Sequence, residues 1–240
     1  MLRTIFFDAA GTLFEPRIPV GDSYARVARK HGVATTGAAV GEAFHRAFHE
    51  SGGLAFGPGH AAAELRGLER TWWRELVAKS FASIGSFDDF DSYFDELFAY
   101  FAEPANWVPD EGAVQMLEQL RQTGYHLGVV SNFDYRLYRI LEGLGLSGCF
   151  DSITLSSEAG WAKPDPRIFA VALAQHGTAP NEALHVGDSA HLDVVGAHAA
   201  GLAAVLIDPK AAAPITIDGR LATVKSLRLV IEATNRLSFG

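Results

Sequence analysis

The chain has 240 residues, 48% of them hydrophobic, with a formal net charge of -8 and a sequence pI near 5.5. That length holds one large domain or a core with an insert, and the acidic balance argues against general attraction to nucleic acid or an anionic membrane. Cys149 is the only cysteine, so no intramolecular disulfide can form, and the N-terminal residues lack a signal-peptide pattern; the expectation is a cytoplasmic protein with a small-molecule substrate.

An apolar run from Leu2 to Phe7 is bounded by Asp8 and Gly11, as a buried parallel strand would be. Asp8 therefore sits at a strand end in a Gly-containing loop, a position suited to a nucleophile or metal ligand. No second strand is expected for a long stretch. Helix-like spacing instead covers Asp22 to Lys30, Gly41 to Glu50, Ala61 to Ser83 and Asp88 to Phe101, interrupted by the Gly-rich loop Ser51 to Gly59 and by Gly85. This reads as a helical insert over 16–106, with a hinge where Pro104 and Pro109 flank Trp107 and Val108. Trp72, Trp73, Phe94, Phe98 and Phe101 fall at helical spacings and are assigned to the insert's own core. His45 and His49, four apart, lack an obvious third ligand and are assigned to a solvated face.

Beyond the hinge, helices and strands alternate. The spacing predicts a helix over Glu111 to Thr123, a strand over His126 to Val130, a helix over Tyr135 to Leu144 and a strand over Ser152 to Leu155. Next come a helix over Pro166 to His176, a strand over Leu184 to Val186, a helix over Leu192 to Ala200 and a strand over Ala203 to Ile207. This alternation implies an α/β fold with a doubly wound parallel sheet, in which ligands sit at the carboxyl ends of the strands. The tail after Asp208 is uninformative except for an amphipathic stretch near Leu227 to Leu237, expected to pack on the core.

Three further segments carry chemistry. Ser131 and Asn132 follow a strand and offer a hydroxyl and an amide to an anionic oxygen. Lys163, in Gly160-Trp161-Ala162-Lys163-Pro164-Asp165-Pro166, precedes a helix, where its ammonium can neutralise a substrate and a carboxylate together. Asp188 and Asp193 lie five apart around a turn after Gly187, an oxygen donor set that suits Mg²⁺. His191, inside that acidic loop, is assigned to the loop surface rather than to the chemistry.

Taken in order, Asp8-Ala9-Ala10-Gly11-Thr12, the helical insert, Ser131, Lys163 and the Gly187-Asp188 to Asp193 loop resemble the haloacid dehalogenase (HAD) superfamily from Leu2 to about Asp208. The runs Ser131 to Asp134 and Gly160 to Phe169, with Trp72-Trp73, are similar to its domain-containing type 3 group. The resemblance implies a Rossmannoid core over 1–15 and 107–240 and a helical cap over 16–106. It implies Asp8 as the nucleophile, with Ser131, Asn132 and Lys163 holding phosphoryl oxygens. Thr12 would orient the loop. Mg²⁺ would be held by Asp8, the Ala10 carbonyl and Asp188, with Asp193 in support.

One position departs from the family. Its phosphatases carry Asp-x-Asp-Gly-Thr, and the second Asp protonates the leaving oxygen and activates water; Ala10 stands there in this chain. Losing a general acid/base costs about 10² to 10⁴ in rate, or roughly 3 to 5 kcal/mol. The first expectation is thus a slow or selective Mg²⁺-dependent phosphohydrolase acting on a phosphorylated metabolite. Three alternatives remain: a phosphate-binding sensor without turnover, a 2-haloacid dehalogenase, whose relatives carry Asp-x-Tyr-Gly-Thr, and a phosphonoacetaldehyde hydrolase, whose cap lysine forms a Schiff base. Only Lys30 and Lys79 are available for that last role.

Overall fold

The structure, a computed structural model, describes residues 1–239. In chain order it runs β1 (Thr4–Phe7), β2 (Phe14–Pro16), α1 (Val20–Lys30), α2 (Gly37–Glu50), α3 (Ala62–Phe81), α4 (Phe90–Tyr100) and β3 (Trp107–Pro109). Then follow α5 (Ala113–Gln122), β4 (His126–Ser131), α6 (Arg136–Gly143), β5 (Ser152–Leu155), α7 (Ser156–Ala159), α8 (Pro166–His176) and β6 (Ala183–Gly187). A π-helical turn over Ala190–Val195 leads into α9 (Gly196–Ala199), and β7 (Ala203–Ile207), β8 (Ile215–Asp218), β9 (Leu221–Val224) and α10 (Val230–Arg236) complete the described residues.

Seven strands form one sheet in the order β5-β4-β1-β6-β7-β9-β8, parallel throughout except for β8 against β9. The doubly wound expectation therefore holds. The strands are apolar on both faces because helices cover both. In β1, Ile5 and Phe7 pack with Met116, Leu117 and Leu120 of α5, Leu137, Ile140 and Leu141 of α6 and Val230 and Ala233 of α10. Phe6, pointing the other way, packs with Ile168, Phe169, Ala172 and Leu173 of α8. Leu227, Val230, Ala233 and Leu237 are buried in the first of these clusters, as the amphipathic spacing implies.

The insert helices form around their own apolar cluster, including Tyr24, Val27, Val40, Val77, Phe81, Tyr93, Phe94, Leu97 and Phe98. Local signals set their ends: Thr36 Oγ1 accepts from the Ala39 N–H at the start of α2, and Asp89 accepts from the Ser92 N–H at the start of α4. Phe87 and Tyr93 stack with centroids 4.1 Å apart, so aromatic packing dominates this cluster. Trp73 is half-buried against it rather than fully interior, and the half-buried Trp72 meets the Trp73 and Phe48 rings instead.

Three sequence expectations need correction. A second strand does follow β1 closely: β2 pairs antiparallel with β3, Phe14 opposite Pro109 and Pro16 opposite Trp107, and the Phe14 and Trp107 rings meet edge-on at 5.2 Å. Its three residues are too few to show periodicity, and the pairing binds together the segments by which the chain leaves and re-enters the sheet. The tail carries the β8–β9 hairpin, with β9 extending the parallel sheet beside β7. The helix expected over Leu192 to Ala200 is a π-helical turn followed by one short α-helical turn, with the Val194 N–H reaching back to the Ser189 carbonyl at 3.3 Å.

Candidate active site

β4, β1 and β6 are neighbours at the middle of the sheet, and the chain departs from them in opposite directions, to β5 on one side and β7 on the other. Their carboxyl ends consequently open a crevice in which loop residues meet. Asp8 follows β1, Ser131 ends β4, and Asp188 follows β6. Asp8, Ser131, Lys163 and Asp193 are all buried.

Lys163 organises the crevice. Its Nζ donates to Asp8 Oδ1 at 2.6 Å and to Asp193 Oδ1 at 2.6 Å. Asp193 is held further by the Ser189 N–H on Oδ2 at 2.9 Å and by His185 Nε2 on Oδ1 at 2.8 Å. Lys163 reaches this point because its segment is fixed at both ends. The Asn132 amide brackets its backbone, Oδ1 accepting from the Lys163 N–H at 2.7 Å and Nδ2 donating to the Lys163 carbonyl at 2.9 Å. Just beyond, Asp165 caps α8 by accepting from the Arg167 N–H, with Pro166 at the first helical position.

Two glycines let the acidic loop close. A Cβ on Gly187 would lie 2.2 Å from Asp193 Cγ, so only glycine leaves room for that carboxylate under the strand end. Gly11 has φ +94°, and a Cβ there would lie 2.7 Å from Asp188 Oδ2; the first loop and Asp188 are thus in direct apposition. Thr12 is buried nearby, and its Oγ1 has no hydrogen-bond partner. Ala10 is half-buried and supplies no proton-transfer group.

The electrostatics follow from this crowding. Burial pushes the Asp8 carboxyl above its ordinary value, although the Lys163 ammonium opposes it. Burial acts against ionisation of Asp193 too, but Lys163 and His185 overcome it and hold that carboxyl well below the usual range. Burial would lower the Lys163 ammonium, yet Asp8 and Asp193 raise it overall. Asp188, exposed at the mouth of the crevice and short of a cationic partner, is pushed up to about 6 by partial desolvation and by the negative charge of Asp8 and Asp193. One carboxylate oxygen from each of Asp8, Asp188 and Asp193 lies within 4.8 Å of the others. With the three carboxylates and Lys163 ionised and burial favouring neutral His185, two negative charges are unbalanced.

Of the residues singled out in the sequence, Asp8, Lys163, Asp188 and Asp193 meet in the crevice, Ser131 ends the strand beside β1, and the Asn132 amide is engaged on the lysine's main chain. His191 is exposed. Four buried polar residues were missed. His185 sits in an apolar strand between Leu184 and Val186 at 0% exposure. Asp134 and Arg136 form a buried pair: Arg136 Nε donates to Oδ1 at 2.8 Å and Nη2 to Oδ2 at 2.6 Å. Trp73 Nε1 of the insert donates to Asp134 Oδ2 at 2.6 Å, and the Arg136 guanidinium lies over the Phe98 ring at 3.9 Å, so this pair ties α3 and α4 to the loop after β4. Glu69 on α3 is fully buried, with neither carboxylate oxygen hydrogen-bonded. The Ser51 to Gly59 loop, unreadable in the sequence, reaches the same edge, where Ser156 Oγ donates to the Leu54 carbonyl at 2.6 Å.

Among the described residues no helix is long and apolar enough to cross a membrane. The haloacid dehalogenase-like hydrolase family matches the chain over residues 2–201. Haloacid dehalogenase-like hydrolase domain-containing protein 3 of Bos taurus is 39% identical over 210 residues, covering 86% of this chain and 82% of the relative. A phosphoserine phosphatase of Thermus thermophilus is 40% identical over 111 residues, 46% of this chain and 45% of its own. Among solved structures, the putative HAD-hydrolase YfnB of Bacillus subtilis bound to magnesium superposes with a TM-score of 0.71 at 19% identity, covering 98% of this chain and 99% of that one. With the sheet order, the strand-end carboxylates and these matches in agreement, the chain belongs to the haloacid dehalogenase-like hydrolases.

Proposed function

We propose that this chain is a Mg²⁺-dependent phosphohydrolase acting on a small phosphorylated molecule, with Asp8 as the nucleophile. The observation that carries the reading is the contact between Lys163 Nζ and Asp8 Oδ1, beside two further carboxylates with no second cation among them. The unbalanced charge, the raised Asp188 and the all-oxygen donor set fit a hard divalent cation. Asp8, the Ala10 carbonyl and Asp188 would hold it, with Asp193 in support. When bound, Mg²⁺ supplies positive charge to the phosphoryl oxygens.

The chain's own residues do the rest. Phosphoryl transfer relies on positioning and charge neutralisation, and a carboxylate nucleophile divides hydrolysis into two steps. An Asp8 oxygen bonds to phosphorus as the bond from phosphorus to the leaving oxygen breaks. Lys163 offsets the charge of Asp8 and of the phosphoryl group, while Ser131 and the loop of Asn132 hold phosphoryl oxygens. Thr12 orients the first loop. With Ala10 in place of an acid, the leaving oxygen takes its proton from solvent, so substrates with good leaving groups are favoured. Water then displaces Asp8 from phosphorus without a local base, and inorganic phosphate departs. The helical segment over 16–106 acts as a cap on the core formed by 1–15 and 107–240.

The partial identity to a phosphoserine phosphatase supports phosphate esters as the substrate class. A metal-dependent screen of phosphate esters and acyl phosphates, with Asp8→Asn as the blank, tests the proposal; absence of metal-dependent, Asp8-dependent phosphate release would sink it. Ala10 also favours a second reading, a phosphate-binding sensor that is phosphorylated but does not turn over. Labelling with acetyl phosphate separates the two, because a stable Asp8 adduct without steady phosphate release belongs to the sensor. The aldehyde chemistry is disfavoured by Lys30, whose Nζ is paired with Glu96 Oε1 at 2.5 Å on the surface.

A further inference from the structure

A second cluster of metal-ligating side chains lies at the opposite end of the sheet. His126 is the first residue of β4, Asp151 immediately precedes β5, and His176 is the last residue of α8. β1, β4 and β5 are parallel, and Thr4, the first residue of β1, pairs with His126. The cluster is thus at the amino ends of the strands, whereas Asp8, Ser131 and Asp188 follow their carboxyl ends.

One ligand atom from each of His126, Asp151 and His176 lies within 4.8 Å of the others. His126 Nδ1 and Asp151 Oδ2 are 3.5 Å apart, too far for a good hydrogen bond. It is close to the separation of about 3.3 Å expected for two ligands bound at roughly 2.05 Å to a tetrahedral ion. The other elements of the cluster are held in place. Asp151 Oδ2 accepts from the Leu127 N–H at 3.0 Å, and Ser152 Oγ lies 2.6 Å from His176 Nε2, fixing the plane of that ring. Gly128 makes the second contact possible, since a Cβ there would come within 2.6 Å of Ser152 Oγ. Metal-ligating imidazoles and carboxylates ordinarily have such outer partners. The His126 and Asp151 side chains are 57% and 36% exposed, so a cation can enter from solvent and complete its coordination with water.

We infer that His126, Asp151 and His176 form a second cation site, selective for a borderline transition-metal ion such as Zn²⁺ and independent of the crevice around Asp8. Two imidazoles and one carboxylate suit Zn²⁺ and its neighbours far better than Mg²⁺, which prefers oxygen and reluctantly sheds water. Occupancy would join the starts of β4 and β5 to the end of α8, the helix that follows Lys163.

The test is calorimetric titration of Zn²⁺ into chelator-stripped full-length protein in excess Mg²⁺, comparing the unaltered chain with His126→Ala, Asp151→Asn and Asp188→Asn. Asp151→Asn keeps an oxygen for the Leu127 N–H, and His126 is a surface residue, so neither variant threatens the fold; a thermal melt checks this. The expected result is saturable uptake that weakens at least tenfold in His126→Ala and in Asp151→Asn but not in Asp188→Asn, with His126 and His176 ring resonances shifting on Zn²⁺ addition. Absence of saturable uptake, or uptake that depends on Asp188 and ignores His126, overturns the inference.

Discussion

Lys163 and Asp8 are separated by 155 positions in the chain, yet Lys163 Nζ stands 2.6 Å from Asp8 Oδ1 with both side chains buried. The same ammonium bonds Asp193, so one cation holds two loops from different strands. Removing one partner from such a buried arrangement leaves uncompensated charge, at a cost of about 3–5 kcal/mol.

Lys163→Met accordingly lowers stability by about 3 kcal/mol in chelator, less when Mg²⁺ supplies charge to the same carboxylates. Turnover falls roughly 10²- to 10³-fold, the usual loss when one charge-stabilising donor is removed. Urea denaturation with and without Mg²⁺, alongside phosphate release, measures both. An unchanged rate would remove Lys163 from the chemistry.

Ala10→Asp restores a proton-transfer group beside the half-buried loop position. The expected gain is about 10²-fold in kcat on alkyl phosphates, smaller on aryl phosphates whose leaving groups need no proton. Steady-state phosphate release on the two substrate classes reads the difference; equal effects on both would point away from acid catalysis.

Gly187→Ala places a methyl 2.2 Å from Asp193 Cγ and must displace that carboxylate. Activity should drop roughly 10²-fold while the chain stays folded, because a shift of about 1 Å at a reacting centre costs that much. Circular dichroism and kcat on the same preparation check it.

Glu69 is fully buried, with Arg66 Nη1 3.8 Å from Oε2 as its ion-pair partner, and burial outweighs that cation and raises its carboxyl above the ordinary value. The folded chain therefore holds this proton more tightly than the unfolded chain, and Glu69 makes stability fall as pH rises from the unfolded value of 4.5 through the raised folded one. Glu69→Gln removes that slope and stabilises the chain at neutral pH. Unfolding free energies at several pH values decide the matter; a parallel offset with the slope unchanged would contradict it.

Trp73 Nε1 bonds the buried Asp134 at 2.6 Å. Trp73→Phe keeps most of the ring but deletes a hydrogen bond to a charged group, worth about 1.5–3 kcal/mol. Hydrogen exchange should show faster opening of α3 with little change in α5; uniform acceleration throughout would mean a global effect instead.

Local pattern made much of this protein legible. The strands β5 and β7 and the helix α8 agree with their sequence spans to the residue, because apolar runs bounded by Gly, Pro and Asp carry period and termination in the same few positions. Asp8, Ser131 and Asp188 were legible by their places after strands, Lys163 by its place before a helix and Asp193 by its spacing from Asp188, since a parallel sheet brings its carboxyl ends to one edge. β2 was invisible because three residues carry no period and its pairing depends on β3, far along the chain. The Asp134–Arg136 pair, His185 and Glu69 were invisible for a different reason. Whether a charged or titratable side chain is buried, and against what, depends on which elements pack over it, and no local spacing encodes that. Chain order thus determined the sheet and the residues offered to its edge; tertiary packing alone decided that one lysine would hold both Asp8 and Asp193 while Asp188 was left without a cation.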